Sequence, residues 1–323
     1  MEAAIATLSS PVVLFFILGL GAAFARSELA IPDAVAKGLS IYLMIAIGLK
    51  GGVEVSKTGF TADLAVAALV GIGLSFTIPF LAFALLHRVG RLSRINAAAV
   101  SAHYGSVSVV TYVTAAEMLT RGGLGPAGYM VAVLALMETP AIISGLLLAR
   151  RGDRSRSAQN SQNLMHEVLL NASVVLLIGS FLIGFFAGSD GFAPIAPLFE
   201  GLFRGLLCLF LLDMGLVAGR RLIETRALTA RPAVLGLVLP LINGTLGTTI
   251  GLAIGLDTGS AAALGILAAS ASYIAVPAAM RLALPEADPG LYLSMSLGVT
   301  FPFNIIVGIP LFAALAEALS TIL

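Results

Sequence analysis

Apolar stretches long enough to cross a lipid bilayer recur along the whole chain and are separated by short polar connections. A membrane-spanning helix needs about 20 mostly apolar residues, and fewer where it is interrupted or buried in a bundle. Because 59% of the 323 residues are hydrophobic and 11% are charged, we predict an all-α polytopic membrane protein. We expect ten spans, at residues 11–25, 34–53, 62–87, 95–119, 126–149, 164–187, 196–219, 231–255, 258–284 and 289–321.

The distribution of basic residues predicts the orientation of these spans. Membrane proteins retain Lys and Arg on the cytoplasmic side, and most of the 18 basic residues follow odd-numbered spans. We therefore expect a multi-pass protein of the plasma (inner) membrane with both termini outside and a polar cytoplasmic linker at 150–163. We expect no nucleic-acid partner, because the net charge is only +1 and the sequence has no basic run interleaved with aromatic residues.

The linker divides the chain into two halves of five predicted spans, 1–149 and 164–323. Since five is odd, the second half must enter the membrane inverted relative to the first. Weak internal similarity supports this repeat, because Ile47–Gly52 matches Met214–Gly219. Both segments carry glycines spaced four residues apart, which also predicts close helix packing. Inverted repeats with a broken helix in each half are typical of secondary transporters.

The fourth predicted span changes character in its middle, within Asn96–Thr111. Four residues there suit an opened backbone better than hydrocarbon, namely Tyr104, Gly105, Ser106 and Ser108. Non-helical backbone at such depth is tolerated only when it is buried in protein or lines a wet cavity. A helix that restarts after the break presents free N–H groups, which bind anions. We predict a broken helix and an anion-binding site at these four residues.

The ninth predicted span contains a matching polar cluster, in which Ser270, Ser272 and Tyr273 precede Pro277. Proline lacks a backbone donor and disrupts a helix interior, so Pro277 is a candidate unwinding point. Two breaks that approach from opposite sides present two partly positive helix N-termini to one site, which favours an anion. The alternative interpretation is that these small residues only allow close helix packing.

The fifth and tenth predicted spans carry polar residues beside a proline, Glu138 and Asn304. An ionisable residue at membrane depth is costly and indicates an ion path or coupling site. Since a hard cation such as Na⁺ prefers oxygen ligands, we expect Na⁺ as the coupling ion. The candidate residues for this ion site are Glu138, Thr139, Thr300, Asn304, Ser101 and His103. Alternatively, Glu138 is protonated and forms a structural hydrogen bond between helices. His103 is then either a histidine that only packs in the bundle or a proton-coupled group.

Two further patterns complete the prediction. Glu200 and Arg204 have the spacing of an ion pair on one helix, which we interpret as structural. Enzyme motifs such as Gly-x-Ser-x-Gly, His-Glu-x-x-His and the phosphate loop are missing from the sequence. We therefore do not expect an enzyme.

Four motifs together resemble the sodium-dependent bicarbonate transporter family of cyanobacteria and other bacteria, and the resemblance covers nearly the whole chain. They are Tyr42–Glu54, Tyr104–Ser108, Ala271–Arg281 and Val299–Ile305. The resemblance implies a homotrimer in which a mobile core domain, spans 3–5 and 8–10, slides against a gate domain of spans 1, 2, 6 and 7. It also implies coupled uptake of Na⁺ and bicarbonate and a PII-like cytoplasmic regulator.

The resulting hypothesis is an elevator-type, sodium-coupled symporter that imports bicarbonate or a similar small monoanion. The alternative is a transporter-like membrane receptor or scaffold that moves no solute and signals through a partner at its cytoplasmic loops. Solute accumulation in sealed vesicles distinguishes the two.

Overall fold

A computed structural model of the chain describes residues 11–59, 61–150, 172–224 and 228–322. All regular structure in these ranges is helical. The helices are α1 Pro11–Phe24, α2 Asp33–Thr58, α3 Ala62–Arg88, α4 Arg94–Gly105, α5 Val109–Arg121, α6 Met130–Met137, α7 Pro140–Arg150, α8 Ala172–Phe192, α9 Phe203–Glu224, α10 Ala230–Ala253, α11 Thr258–Ala269, α12 Ala275–Ala283, α13 Pro289–Leu293, α14 Phe301–Phe303 and α15 Ile309–Ser320.

Six helical stretches within the described ranges are long and apolar enough to cross a membrane, which agrees with a polytopic membrane protein. The longest, Pro289–Ser320, joins α13, α14 and α15 through two π-helical segments. Two shorter apolar helices, α1 and α11, accompany them. Apart from Arg150, the predicted linker 150–163 lies outside the described residues, as does the start of the predicted sixth span.

The helices associate in three groups. In the first, α1 packs along α9 and α2 packs along α8. In the second, α3 packs against α4, α6 and α7, while α4 also contacts α7. In the third, α11 packs against both α10 and α15. Large apolar side chains such as Leu69 and Phe186 remain exposed on the outer faces, as expected of helices that meet lipid.

Glycines allow the closest approach within the first group. A Cβ atom on Gly52 of α2 would overlap the carbonyl oxygen of Phe181 on α8, and one on Gly19 of α1 would overlap that of Leu212 on α9. The predicted packing role of the spaced glycines is therefore confirmed. Close backbone approach of this kind supplies the van der Waals contact that associates helices in lipid.

We expect Gly52→Ala to destabilise the protein by about 1–3 kcal/mol, because the new methyl group meets backbone that cannot rotate away. Thermal unfolding of the detergent-purified protein measures this effect. Gly38→Ala is the matched control, since a Cβ atom at Gly38 of the same helix meets nothing within 4 Å. Equal melting temperatures for the two variants would contradict the packing assignment.

Two interruptions occur where polar clusters lie in the sequence. Helix α4 ends at Gly105, and α5 begins at Val109 after the N-cap Ser108, whose hydroxyl accepts a hydrogen bond from the Thr111 N–H at 3.2 Å. Helix α11 ends at Ala269, and α12 begins at Ala275.

The predicted unwinding at Pro277 is wrong in position, because Pro277 lies inside the first turn of α12. The missing N–H of proline costs nothing there, since the first N–H groups of a helix have no intrahelical partner.

The predicted ion pair between Glu200 and Arg204 is not formed. A π-helical turn, Pro197–Gly201, precedes α9 and changes the register between the two residues. Arg204 instead contacts the carboxylate of Glu117 on α5, whose side chain is only 9% exposed. This contact links α5 to α9, an element of the first helix group.

Candidate functional site

The two interrupted segments cross and are joined by main-chain hydrogen bonds. The N–H of Ser272 donates to the carbonyl oxygens of His103 at 2.9 Å and Ser106 at 3.1 Å. The N–H of Ser108 donates to the hydroxyl of Ser270 at 2.9 Å. Each segment therefore satisfies backbone groups that the other leaves without helical partners, as buried polar backbone requires.

His103 fixes this crossing from one side. Its Nδ1 lies 2.5 Å from the carbonyl oxygen of Ser272, which can only accept, so Nδ1 carries the proton. The imidazole stacks on the ring of Tyr292 with 4.7 Å between ring centres, and the side chain is fully buried. His103 thus binds both the N–H and the C=O of Ser272, one with its backbone and the other with its ring.

We expect His103→Phe to raise the KM for the transported anion about tenfold, because it removes one buried hydrogen bond while an aromatic ring still stacks on Tyr292. Initial uptake rates over a range of anion concentrations measure this. Tyr292→Phe is the control, since the Tyr292 hydroxyl has no hydrogen-bond partner and its loss should change nothing. An unchanged KM in His103→Phe would contradict the clamping role.

A small cavity lies at the crossing. The lining residues are Val107, Ser108, Val109, Glu138, Ser272, Tyr273, Ile274 and Ala275. Four of them, Ser108, Ser272, Tyr273 and Glu138, are predicted site residues. Because α5 begins at Val109 and α12 begins at Ala275, two helix N-termini open on the cavity, and each carries a partial positive charge.

Glu138 supplies the only acidic side chain in this lining. It is 3% exposed, and its Oε2 atom has no hydrogen-bond partner. Its carbonyl oxygen accepts a hydrogen bond from the Ser106 hydroxyl at 3.0 Å, which ties the α6–α7 junction to the first interruption. An unpaired carboxyl group is costly at such burial, so its position indicates a ligand or a proton.

The tenth predicted span reaches the same region through two polar contacts. The Tyr104 hydroxyl lies 2.7 Å from the Thr300 hydroxyl, which donates to the carbonyl oxygen of Gly236 at 2.7 Å. The side-chain amide of Asn304 donates to the carbonyl oxygen of Ala269, the last residue of α11, at 2.9 Å. The Oδ1 atom of Asn304 is buried without a partner and is free to act as an oxygen ligand.

The remaining predicted site residues lie beside the cavity. Thr139 is half-buried next to Glu138. Gly105 packs against Pro79 of α3, where a Cβ atom would overlap the proline ring. The hydroxyl of Ser101 donates to the carbonyl oxygen of Ala98 within its own helix at 2.8 Å.

Two buried polar residues of α10 were missed by the sequence prediction. Both polar atoms of the Asn243 side chain and the hydroxyl of Thr248 are buried without partners. The sequence feature that could have identified Asn243 and Thr248 also identified Glu138 and Asn304. It is a hydrogen-bonding side chain inside an apolar predicted span.

The described residues contain no group of three or more His, Cys, Asp or Glu side chains that could hold a metal ion. The carboxyl group of Glu138, the Oδ1 atom of Asn304 and the nearby hydroxyls offer oxygen atoms, and these suit a hard cation.

Long apolar helices surround a buried polar crossing, where Glu138 and Asn304 each leave an oxygen atom without a hydrogen-bond partner, and this arrangement is typical of membrane transport proteins. A model of the Na⁺-dependent bicarbonate transporter superfamily matches residues 11–317, so the chain belongs to that superfamily. The resemblance drawn from the four motifs is confirmed, and the family is one of transporters, not of enzymes. A comparison with curated proteins finds no match.

Proposed function

We propose that the protein is an elevator-type, sodium-coupled symporter that imports bicarbonate or a similar small monoanion. The observation that carries this proposal is the cavity at the crossing, where two helix N-termini and the carboxyl group of Glu138 meet. Positive helix ends attract an anion, and a buried carboxylate attracts a cation, so one site offers complementary places for both ions.

The anion would lie against the starts of α5 and α12. Ser108 and Ser272 supply hydroxyls at the cavity, and Tyr273 lines one side of it. The residues that hold these groups in place are Tyr104, Gly105, Ser106 and Ser270.

Sodium would bind between the carboxylate of Glu138 and the free Oδ1 of Asn304, with Thr139 and Thr300 as further oxygen donors. Ser101 and His103, also predicted for the cation, would support the site through α4. A cation at Glu138 removes the repulsion between this carboxylate and the anion, so each ion strengthens binding of the other, and linkage makes the effect equal in both directions.

The architecture we propose is ten spans in two inverted repeats, 1–149 and 164–323, with broken helices in spans 4 and 9. The helix contacts support it. When each helix is replaced by its counterpart in the other repeat, the contact between α1 and α9 becomes the contact between α8 and α2. In the same way, the group of α3, α4 and α7 becomes the group of α10, α11 and α15. The α1, α2, α8 and α9 group would form the gate domain and the other helices the core domain.

The family resemblance extends this proposal to features of the assembly. They are a homotrimer, a PII-like cytoplasmic regulator, and an inner-membrane location with both termini outside. The contact between Glu117 and Arg204 joins core to gate in the described conformation, so sliding of the core would require it to break.

Uptake of ¹⁴C-bicarbonate into proteoliposomes tests the function. We expect accumulation under an inward Na⁺ gradient and none under matched K⁺ or pH gradients. Other small carboxylates, tested the same way, define the substrate range. Failure of a folded preparation to accumulate any of these solutes would favour the receptor or scaffold alternative.

A further inference from the structure

A second and larger cleft lies at the end of the molecule that the basic residues assign to the cytoplasm. It has a volume of about 610 Å³. Its lining is Gly90, Arg91, Leu92, Ser93, Asn96, Thr229, Ala230, Arg231, Asp288 and Leu291, and we call it the arginine cleft. Helix α4 starts at the cleft and ends at the crossing, so its 12 residues separate the two sites by roughly 18 Å.

The charges in the arginine cleft are unbalanced. Arg91 and Arg231 are both exposed, and neither forms an ion pair or a side-chain hydrogen bond within the described ranges. The one carboxylate of the lining, Asp288, caps α13 instead, where its Oδ1 atom accepts from the N–H groups of Gly290 at 2.8 Å and Leu291 at 3.4 Å. The lining therefore carries two guanidinium groups against one carboxylate, and neither guanidinium group is paired with that carboxylate.

Arg91 has a strained backbone. Its φ is 56°, in the left-handed region that non-glycine residues avoid, although the preceding residue is glycine. The turn is held on both sides, since Leu92 donates its N–H to Leu86 at 3.1 Å and its carbonyl oxygen lies 2.9 Å from Nδ1 of His87. Strained residues that the surroundings fix in this way are concentrated at ligand-binding positions.

The other walls of the arginine cleft are fixed as well. The side-chain oxygen of Asn96 on α4 accepts a hydrogen bond from the N–H of Asp288 at 2.9 Å, which joins two segments of the lining. Thr229, the N-cap of α10, makes no side-chain hydrogen bond to the first turn of that helix. Among the described residues, which exclude 225–227, no side chain caps the first N–H groups of α10, and these groups add partial positive charge beside Arg231.

We propose that the arginine cleft binds a phosphate-bearing anion between Arg91 and Arg231. The planar guanidinium group donates two parallel hydrogen bonds to phosphate oxygens, which is the strongest recognition available to these side chains. The same chemistry fits a soluble diphosphate and the headgroup of an anionic lipid. This binding goes beyond the proposed transport function, because it uses neither the cavity nor Na⁺.

Isothermal titration of the full-length protein with inorganic pyrophosphate tests the proposal. The protein is first held in nanodiscs of phosphatidylcholine, which carries no net charge. We expect saturable binding that weakens about tenfold in Arg91→Gln and in Arg231→Gln. Arg88→Gln is the matched control, because Arg88 is exposed in the last turn of α3 but does not line the cleft. Its affinity should change less than about twofold.

Nanodiscs that contain phosphatidylglycerol distinguish the two sources of phosphate. If this lipid inhibits pyrophosphate binding by wild type, and lipid retention depends on Arg91 and Arg231, the headgroup is the ligand. If phosphatidylglycerol has no effect on pyrophosphate binding, the soluble anion is the ligand. The proposal is overturned if neither probe binds, or if Arg88→Gln weakens binding as much as the other two variants, since the attraction would then be diffuse.

Discussion

Glu138→Gln is expected to lower sodium-driven bicarbonate uptake about 100-fold while the protein remains folded. The amide keeps the shape of the carboxyl group but removes the negative charge that would balance Na⁺. A lost charge interaction of about 2.7 kcal/mol corresponds to this factor, and a buried ion pair in a low dielectric readily supplies it. Because Glu138 is 3% exposed and its Oε2 has no protein partner, no other described group can compensate.

The measurement is the initial rate of ¹⁴C-bicarbonate uptake in proteoliposomes at increasing external Na⁺. The half-saturating Na⁺ concentration should rise together with the KM for bicarbonate, because the two ions are linked. Glu317→Gln is the control, since Glu317 is an exposed carboxylate of α15 that does not line the cavity. Wild-type Na⁺ dependence in folded Glu138→Gln protein would reject Glu138 as a cation ligand.

The helical, polytopic character of the fold follows from the sequence, because burial in lipid leaves few alternatives to an apolar helix. The polar residues at membrane depth also indicate the ends of two helices. Gly105 ends α4, and Ser270 directly follows α11, so residues that suit opened backbone lie where the helices stop. Local chemistry therefore predicts both the helices and their approximate ends.

The contacts that make the site depend on the register between distant segments, which no local pattern encodes. Ser108 and Ser270 are 162 residues apart, and only the crossing angle of two helices brings the N–H of one to the hydroxyl of the other. The pairing of Arg204 with Glu117 has the same origin, since a π-helical turn displaced it from the local partner that spacing predicts.

One consequence of this register is that His103 is a structural partner of the second interruption as well as a candidate site residue. Its Nδ1–H donates to the carbonyl oxygen of Ser272. The ring can therefore serve as a ligand only through the buried Nε2 atom, which has no hydrogen-bond partner. A cation bound there would meet nitrogen rather than oxygen. Na⁺ prefers oxygen ligands, and this favours Glu138 and Asn304 as its primary ligands.

Ser272→Trp is expected to abolish uptake by filling the cavity. Ser272 is 2% exposed and lines the small cavity at the crossing, so an indole ring at this position would fill the proposed anion site. Ser272→Ala separates occlusion from loss of the hydroxyl. The main-chain N–H and C=O of residue 272 make the bonds to His103 and Ser106, and alanine preserves them. We expect alanine to reduce uptake by about tenfold or less.

Folding must be measured beside transport, because a bulky residue in a close-packed interior can also disrupt the crossing. Elution as a single species and an unfolding temperature near that of wild type identify a preparation in which occlusion is the cause of inactivity. In such a preparation, uptake by Ser272→Trp at the wild-type rate would place the anion elsewhere. If alanine were as inactive as tryptophan, the hydroxyl itself would be the essential ligand, and the helix N-termini would contribute less than the charge argument predicts.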